Sequence, residues 1–261
     1  MSSSEPADSS RTDSEATRPP ELRQIPVEEV HIEPQSRIVF HSDPQGLGSD
    51  RFRFLRMRLR ELWHAGKLKK ILITSPLPED GKSTAALNLA TALTERGRHT
   101  VLLLEADLHH PTLADKLGAT NGPGLADCLE NGSNPLSVVR RIEPLGWYFL
   151  PGGKYLANPS DLLHGDGFTR ILQTLTPSFD WIVIDSPPVL PLADAAALSR
   201  QVDASLIVVR AGRTPREAVD KTIETLGQKN VLGVILNGVE GVERLYSKYH
   251  SYYRRPSASA P

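Results

Sequence analysis

The stretch KILITSPLPEDGKSTAALNLA, residues 70–90, changes character twice along its length. Lys70–Thr74 is a short apolar run of strand length, SPLPEDG is turn chemistry, and the small apolar residues from Ser83 onward carry a helical pattern. A strand that passes through Gly-Lys-Ser into a helix gathers backbone N–H groups and the positive end of the helix at one point. That is how a chain surrounds a polyphosphate. In this frame the backbone of Glu79, Asp80 and Gly81 lines the phosphates, and Lys82 reaches the β- and γ-phosphates as a point charge. The Ser83 hydroxyl is the expected Mg²⁺ ligand, and Thr84 contacts the α-phosphate. Two departures stand out. The full phosphate-loop pattern has a glycine where this chain has Pro76, and residues 75–80 contain no lysine.

Working outward, five more apolar runs follow: TVLLLEAD (100–107), WYFLP (147–151), DWIVIDS (180–186), ASLIVVR (204–210) and VLGVILN (231–237). They are apolar almost throughout, as suits strands buried on both faces of a parallel sheet. Helical patterns separate them at 83–97, 193–201 and 215–228. Strand, helix, strand at this spacing predicts βαβ units with right-handed crossovers, hence a doubly wound α/β domain with a mostly parallel sheet. Ligands on such sheets lie at the carboxyl ends of the strands. There the second run carries Glu105 and Asp107, whose i, i+2 spacing lets both carboxylates face the phosphate loop, and the fourth carries Asp185. Asp185 is expected to hold Mg²⁺ through its water shell, with Asp107 sharing the ion and Glu105 accepting a proton from an attacking hydroxyl. An acid that merely caps the following helix is the alternative for each. His109 and His110 read as a surface loop, because adjacent side chains diverge and no zinc-type spacing accompanies them.

The totals bound the rest. The chain has 261 residues, is 39% hydrophobic and carries a net charge of −1, so it can bury a core and exerts no global pull on nucleic acid. Its single cysteine, Cys128, excludes an internal disulfide and reads as a small buried filler. No apolar run approaches the roughly 18–20 residues that span a bilayer, and the N-terminus has no signal-peptide core. Residues 1–28, rich in Ser, Glu, Asp and Pro, read as a disordered tail. A folded domain over 29–241 and a flexible tail over 242–261 complete the organisation. That last segment holds four of the six tyrosines, Tyr246, Tyr249, Tyr252 and Tyr253, beside Lys248, Arg254 and Arg255. Tyrosines in basic company stack on single-stranded bases, sit at a membrane interface, or serve as phosphate acceptors. An adjacent phosphoryl-transfer site favours the last.

SPLPEDGKSTAALNLA, VLLLEADLHHPTL and FDWIVIDSPPVLPLAD, in this order and with the tyrosine cluster behind them, resemble the bacterial tyrosine kinases. The match is to the cytoplasmic catalytic subunits of the capsule and exopolysaccharide type, over about residues 30–255. GLADCL (124–129), LPGGKYLANPSDLL (150–163) and GVILNGVE (233–240) fit the same family. The resemblance implies a P-loop fold of the MinD/ParA-like (SIMIBI) type, ATP and Mg²⁺ as required partners of the chemistry, and autophosphorylation of the tail in trans. It implies Asn237 near the adenine and Arg210 at the nucleotide rim. It further implies a membrane-embedded activator (a polysaccharide co-polymerase) on a separate chain, other protein-tyrosine substrates, and a cytoplasmic location at the inner face of the plasma membrane. Unphosphorylated copies are expected to form a ring. The family's oligomerisation motif is a Glu followed at three-residue intervals by two arginines; Asp50, Arg53 and Arg56 stand at that spacing on one helix face, with a solvated basic helix flank as the alternative. The family usually has Asp where this chain has Glu105, and arginines where it has His109 and His110. A MinD/ParA-like ATPase switch that phosphorylates nothing is the competing function.

Overall fold

Alternation along the strands decides how the molecule is layered. In the computed structural model, which describes residues 19–156 and 158–240, eight strands form one sheet. They are β1 (Val27–Glu29), β2 (Lys70–Thr74), β3 (Val101–Glu105), β4 (Arg140–Glu143), β5 (Trp147–Leu150), β6 (Trp181–Asp185), β7 (Ala204–Arg210) and β8 (Val231–Asn237). Their spatial order is β1-β4-β5-β3-β6-β2-β7-β8, and every pairing is parallel except β4 with β5. Ile71, Ile73, Leu103, Phe149 and Val183 point to one face of the sheet, and Leu72, Leu102, Leu104, Tyr148 and Ile182 point to the other. Both faces are therefore apolar, and each needs a helical cover.

The first face is covered by α2 (Leu47–His64) and α3 (Lys82–Leu93), preceded by the short α1 (Val39–Ser42). α3 is built from Ala, Leu and Thr and is buried almost throughout, so it lies close against β2 and β6. The second face is covered by α5 (Leu125–Asn131) and α7 (Asp166–Leu175) with α6 (Pro159–His164) between them. In α7, Phe168, Ile171, Leu172 and Leu175 recur at helical spacing and are all buried. α4 (Leu113–Leu117), α8 (Asp194–Ser199) and α9 (Arg216–Leu226) complete the helices used below.

The runs of β2, β7 and β8 match the sequence reading residue for residue, whereas two expectations need correction. Residues 19–28 are not a disordered tail. Pro20–Gln24 forms a 3₁₀ turn that buries Leu22, Ile25 closes over the same core, and Val27–Glu29 adds a strand to the sheet. Two apolar anchors in an otherwise polar stretch suffice because the sheet edge at β4 supplies ready-made hydrogen-bond partners. β8 is not buried on both faces, since it is the edge strand and Val234 and Leu236 are 50% and 59% exposed. β1 and β4 carry no apolar run, and pairing geometry alone makes them strands. Residues 1–18 and 241–261, with Tyr246, Tyr249, Tyr252 and Tyr253, lie outside the described residues. Cys128 is buried, and burial pushes its thiol up.

Candidate active site

The loop between β2 and α3 turns on Gly81. Its φ of 99° lies in the left-handed region, and a Cβ there would come within 2.0 Å of Asn237 Nδ2. Asn237 donates that Nδ2 to the carbonyl of Asp80 at 2.9 Å, so the end of β8 pins the loop. The Asp80 side chain is buried and holds the loop from inside. Leu77 N–H donates to its Oδ2 at 3.1 Å, and the Thr214 hydroxyl donates to its Oδ1 at 2.7 Å. Pro76 stands where the common pattern has glycine, and its carbonyl accepts from Leu190 N–H at 3.3 Å.

Lys82 stands at the centre. Its Nζ lies 2.7 Å from Asp107 Oδ2 and 3.5 Å from Ser83 Oγ. Burial works against its charge, but the carboxylates of Asp185 and Asp107 outweigh it and hold the ammonium above its ordinary value. Asp185 ends β6 opposite Glu105 of β3 and Ile73 of β2. Its carboxyl is fully buried and pushed up to about 7, chiefly by burial and against the attraction of Lys82 and the Ser83 hydroxyl. Asp185 Oδ1 is buried with no hydrogen-bond partner among the described residues. An orphaned carboxylate oxygen beside a serine hydroxyl and a second carboxylate is a donor set that a hard divalent cation satisfies, so Ser83, Asp107 and Asp185 fit Mg²⁺. No cluster of three or more His, Cys, Asp or Glu side chains with metal-binding geometry occurs among the described residues.

Glu105 is engaged by backbone donors. Its Oε1 accepts from the backbone N–H of Thr112 at 2.6 Å and of Leu113 at 2.7 Å, and its Oε2 accepts from Gly152 N–H at 2.9 Å. It makes no ion pair with Lys82, and Lys82 is engaged by Asp107. The longer side chain is spent on capping α4 and tying it to the loop after β5, so the i, i+2 pair divides its roles. Burial still holds the Glu105 carboxyl above its ordinary range, in spite of three N–H donors.

The histidines also depart from a plain surface loop. His109 Nε2 sits 2.7 Å from Oδ2 of Asp194, which is buried at the start of α8, and His164 Nε2 lies 3.0 Å from Oδ1 of the same carboxylate. His110 is exposed. Arg210 lines the cavity and donates to the carbonyl of Glu79 at 3.3 Å, a residue held at φ 64°. Within α2, Arg53 pairs with Asp50 at 2.7 Å, whereas Arg56 turns onto α3 and donates to the Ala92 carbonyl at 3.2 Å beside Glu95. Sequence reading missed Thr214 and Asn88. Buried Asn88 accepts from Val39 N–H and donates to the Arg37 carbonyl at 2.9 Å, clamping residues 37–39 to the phosphate-loop helix. A lone amide inside the apolar run AALNLA was the available signal for Asn88. Thr214, 134 positions from its partner, offered none.

These parts open into one cavity of about 1270 Å³ along the carboxyl ends of the strands. A doubly wound sheet, a glycine-turned phosphate loop and buried carboxylates on the flanking strands define a P-loop nucleotide-binding protein. No protein-family model matches the chain. It is 31% identical over 206 residues to the tyrosine-protein kinase YwqD of Bacillus subtilis, covering 78% of this chain and 86% of that one. It is 33% identical over 195 residues to the tyrosine-protein kinase CpsD of Streptococcus agalactiae, covering 73% and 85%. The kinase domain of the Escherichia coli tyrosine kinase ETK superposes with a TM-score of 0.74 at 25% identity, over 86% of this chain and 84% of that one. The chain belongs to the bacterial tyrosine kinases of the capsule and exopolysaccharide type. It spans only 23% of the longer relative Ptk of Acinetobacter johnsonii. The ATP complex of Cyanothece McdA, at 22% identity and a TM-score of 0.52, shares the fold alone. No helix among the described residues is long and apolar enough to cross a membrane.

Proposed function

We propose that the protein transfers the γ-phosphoryl group of ATP to tyrosines Tyr246, Tyr249, Tyr252 and Tyr253 of a neighbouring copy, and to other proteins, in the control of capsule or exopolysaccharide synthesis. The observation that carries this reading is the 2.7 Å contact of Lys82 with Asp107, set beside the unpartnered Asp185 Oδ1. In phosphoryl transfer the protein's work is positioning and charge neutralisation. The backbone from Glu79 to Gly81 and the start of α3 cradle the phosphates, with Thr84 beside them. Lys82 leaves Asp107 for the phosphate oxygens, which frees the Asp107 carboxylate. The acceptor phenol's oxygen bonds to the γ-phosphorus as the bond to the β–γ bridging oxygen breaks, ADP departs, and the phenolic proton passes to Asp107. Glu105 acts by positioning: it fixes α4 and the Gly152 backbone around the site. Mg²⁺, held through Ser83, Asp107 and Asp185, would neutralise charge on the phosphates. Arg210 and Asn237 hold the loop from the nucleotide side.

A membrane-embedded activator on a separate chain, a ring of unphosphorylated copies built in part on Asp50, Arg53 and Arg56, and a place at the inner face of the plasma membrane belong to the same proposal. So does the division of the chain into a kinase domain and a tyrosine-bearing tail over 242–261.

The test is incubation of the purified chain with ATP and Mg²⁺, with and without a cytoplasmic activator segment, followed by mapping of phosphate by intact mass and peptide analysis. Phosphate on the four tail tyrosines that disappears in Lys82→Met supports the autokinase. ADP release with no phosphate on protein would instead identify an ATPase switch.

A further inference from the structure

β8 ends the sheet and is paired on one side alone, with β7. Val234 lies beside Ile207, and Leu236 beside Val209. Ile207 and Val209 are buried against Leu226 of α9 and its neighbours, but that cover stops short of β8. Leu232, Val234 and Leu236, at alternate positions, are 37%, 50% and 59% exposed. With Val239 they make half of the exposed large apolar side chains among the described residues. Edge strands are normally blunted by charge, by proline or by a bulge that turns them aside. VLGVILN has no charge and no proline, and its irregularity of register falls at Leu232, which leaves Gly233–Asn237 regularly paired.

The chain that follows β8 has the complementary pattern. Over residues 244–254, Arg244, Lys248, His250 and Arg254 all occupy even positions, together with Tyr246 and Tyr252. Leu245, Ser247, Tyr249, Ser251 and Tyr253 occupy the odd ones, and none of them is charged. Alternation of this kind marks a strand with one uncharged face, and tyrosine is among the residues that favour strands. Residues 238–244 suffice for a reversal: Gly238 is already at φ 68°, and Gly241 supplies a second permissive position. Residues 245–253 then outlast the seven residues of β8.

We infer that, before it carries phosphate, segment 245–253 of the same chain lies along β8 as an antiparallel ninth strand, with Leu245, Tyr249 and Tyr253 beside Leu232, Val234 and Leu236. The added strand gives the open edge its hydrogen-bond partners, and aromatic–aliphatic neighbours across the pair strengthen it. The same chain is favoured over a second copy because a short connection holds the segment at millimolar effective concentration. A phosphate on Tyr249 or Tyr253 sets about −1.5 to −2 charges against the apolar stripe, so docking and phosphorylation exclude each other. Docking thereby withholds those tyrosines from a neighbouring copy. The docked strand stands whether or not the chain is an autokinase; only its effect on phosphate transfer rests on that reading.

The test compares two double variants of the full chain, Tyr249→Asp/Tyr253→Asp and Tyr246→Asp/Tyr252→Asp. They have the same composition and charge and differ in the face that they alter. Hydrogen exchange of residues 231–237, read by mass spectrometry on phosphate-free protein without nucleotide, reports the edge. Exchange there should be about tenfold faster in the first variant than in the second. Leu236→Lys, made on the receiving strand, should speed exchange of residues 245–253 in the same measurement. Equal exchange of β8 in the two double variants, or faster exchange in the second, would overturn the docking. Protection of β8 that falls on dilution would assign the edge to a second copy and overturn it as well. Phosphate mapping of the parent after incubation with ATP and Mg²⁺ judges the autokinase reading separately.

Discussion

Lys82 Nζ lies 2.7 Å from Asp107 Oδ2, although the two residues sit on different strand–loop units. The phosphate-loop lysine is therefore neutralised by the carboxylate that it must release when phosphate arrives. Replacing Lys82 with Met should abolish tail phosphorylation, by about 10² to 10³-fold or more. Asp107→Asn should do the same, with the melting temperature little changed or raised. Mass mapping and thermal unfolding check both.

Glu105 should behave in the opposite sense. Glu105→Ala leaves three buried backbone N–H groups, of Thr112, Leu113 and Gly152, without their acceptor. A stability loss of about 3 kcal/mol is expected, read as a lower denaturant midpoint. If Glu105→Ala were as stable as the parent and only inactive, the direct role of proton acceptor would return to Glu105.

Asp185 makes the empty protein's stability depend on pH. Its carboxyl titrates at about 7 in the fold and near 4 in the unfolded chain. A raised carboxyl pKa costs nothing below the unfolded value. The penalty grows as pH climbs from about 4 and is complete above about 7. In EDTA, Asp185→Asn should exceed the parent in stability at pH 8, by roughly 2–4 kcal/mol at most, and the gap should narrow at pH 5. Melting curves at the two pH values decide it. A gap that widened at low pH would contradict the assignment.

Thr214→Val removes the hydroxyl that holds Asp80 Oδ1 at 2.7 Å. The loop should loosen, and the affinity for an ATP analogue should fall about five- to tenfold, as befits one neutral donor to a buried carboxylate. Calorimetric titration measures this directly.

Arg56 is engaged inside its own chain, with the Ala92 carbonyl and Glu95. Arg56→Ala should lower the melting temperature by about 2–4 °C, whereas Asp50→Ala should not. Size-exclusion chromatography with light scattering then shows whether either change also alters the assembly.

Six strands and the phosphate loop were legible in the sequence because their signals are local. β2, β7 and β8 are unbroken apolar runs, and Gly-Lys-Ser at a strand–helix junction needs no distant partner to be read. β1 and β4 were illegible because VEE and RRIE become strands only through the ladder they share. Leu22 and Ile25 were hidden in a polar segment, since two apolar side chains do not predict where a core will receive them.

By itself the sequence determined that a parallel sheet forms, that a phosphate loop opens α3, and that acids end the flanking strands. Residue period, turn chemistry and the conformational freedom of Gly81 fix those features within a few neighbouring positions. Only the tertiary structure decided which acid does what. Glu105 and Asp107 are chemically alike and two residues apart, yet one meets three N–H donors and the other meets Lys82. The same holds for Asp80 and Thr214 and for His109 and Asp194. A polar side chain takes its role from the partners that folding brings within about 3 Å, and those partners come from remote parts of the chain.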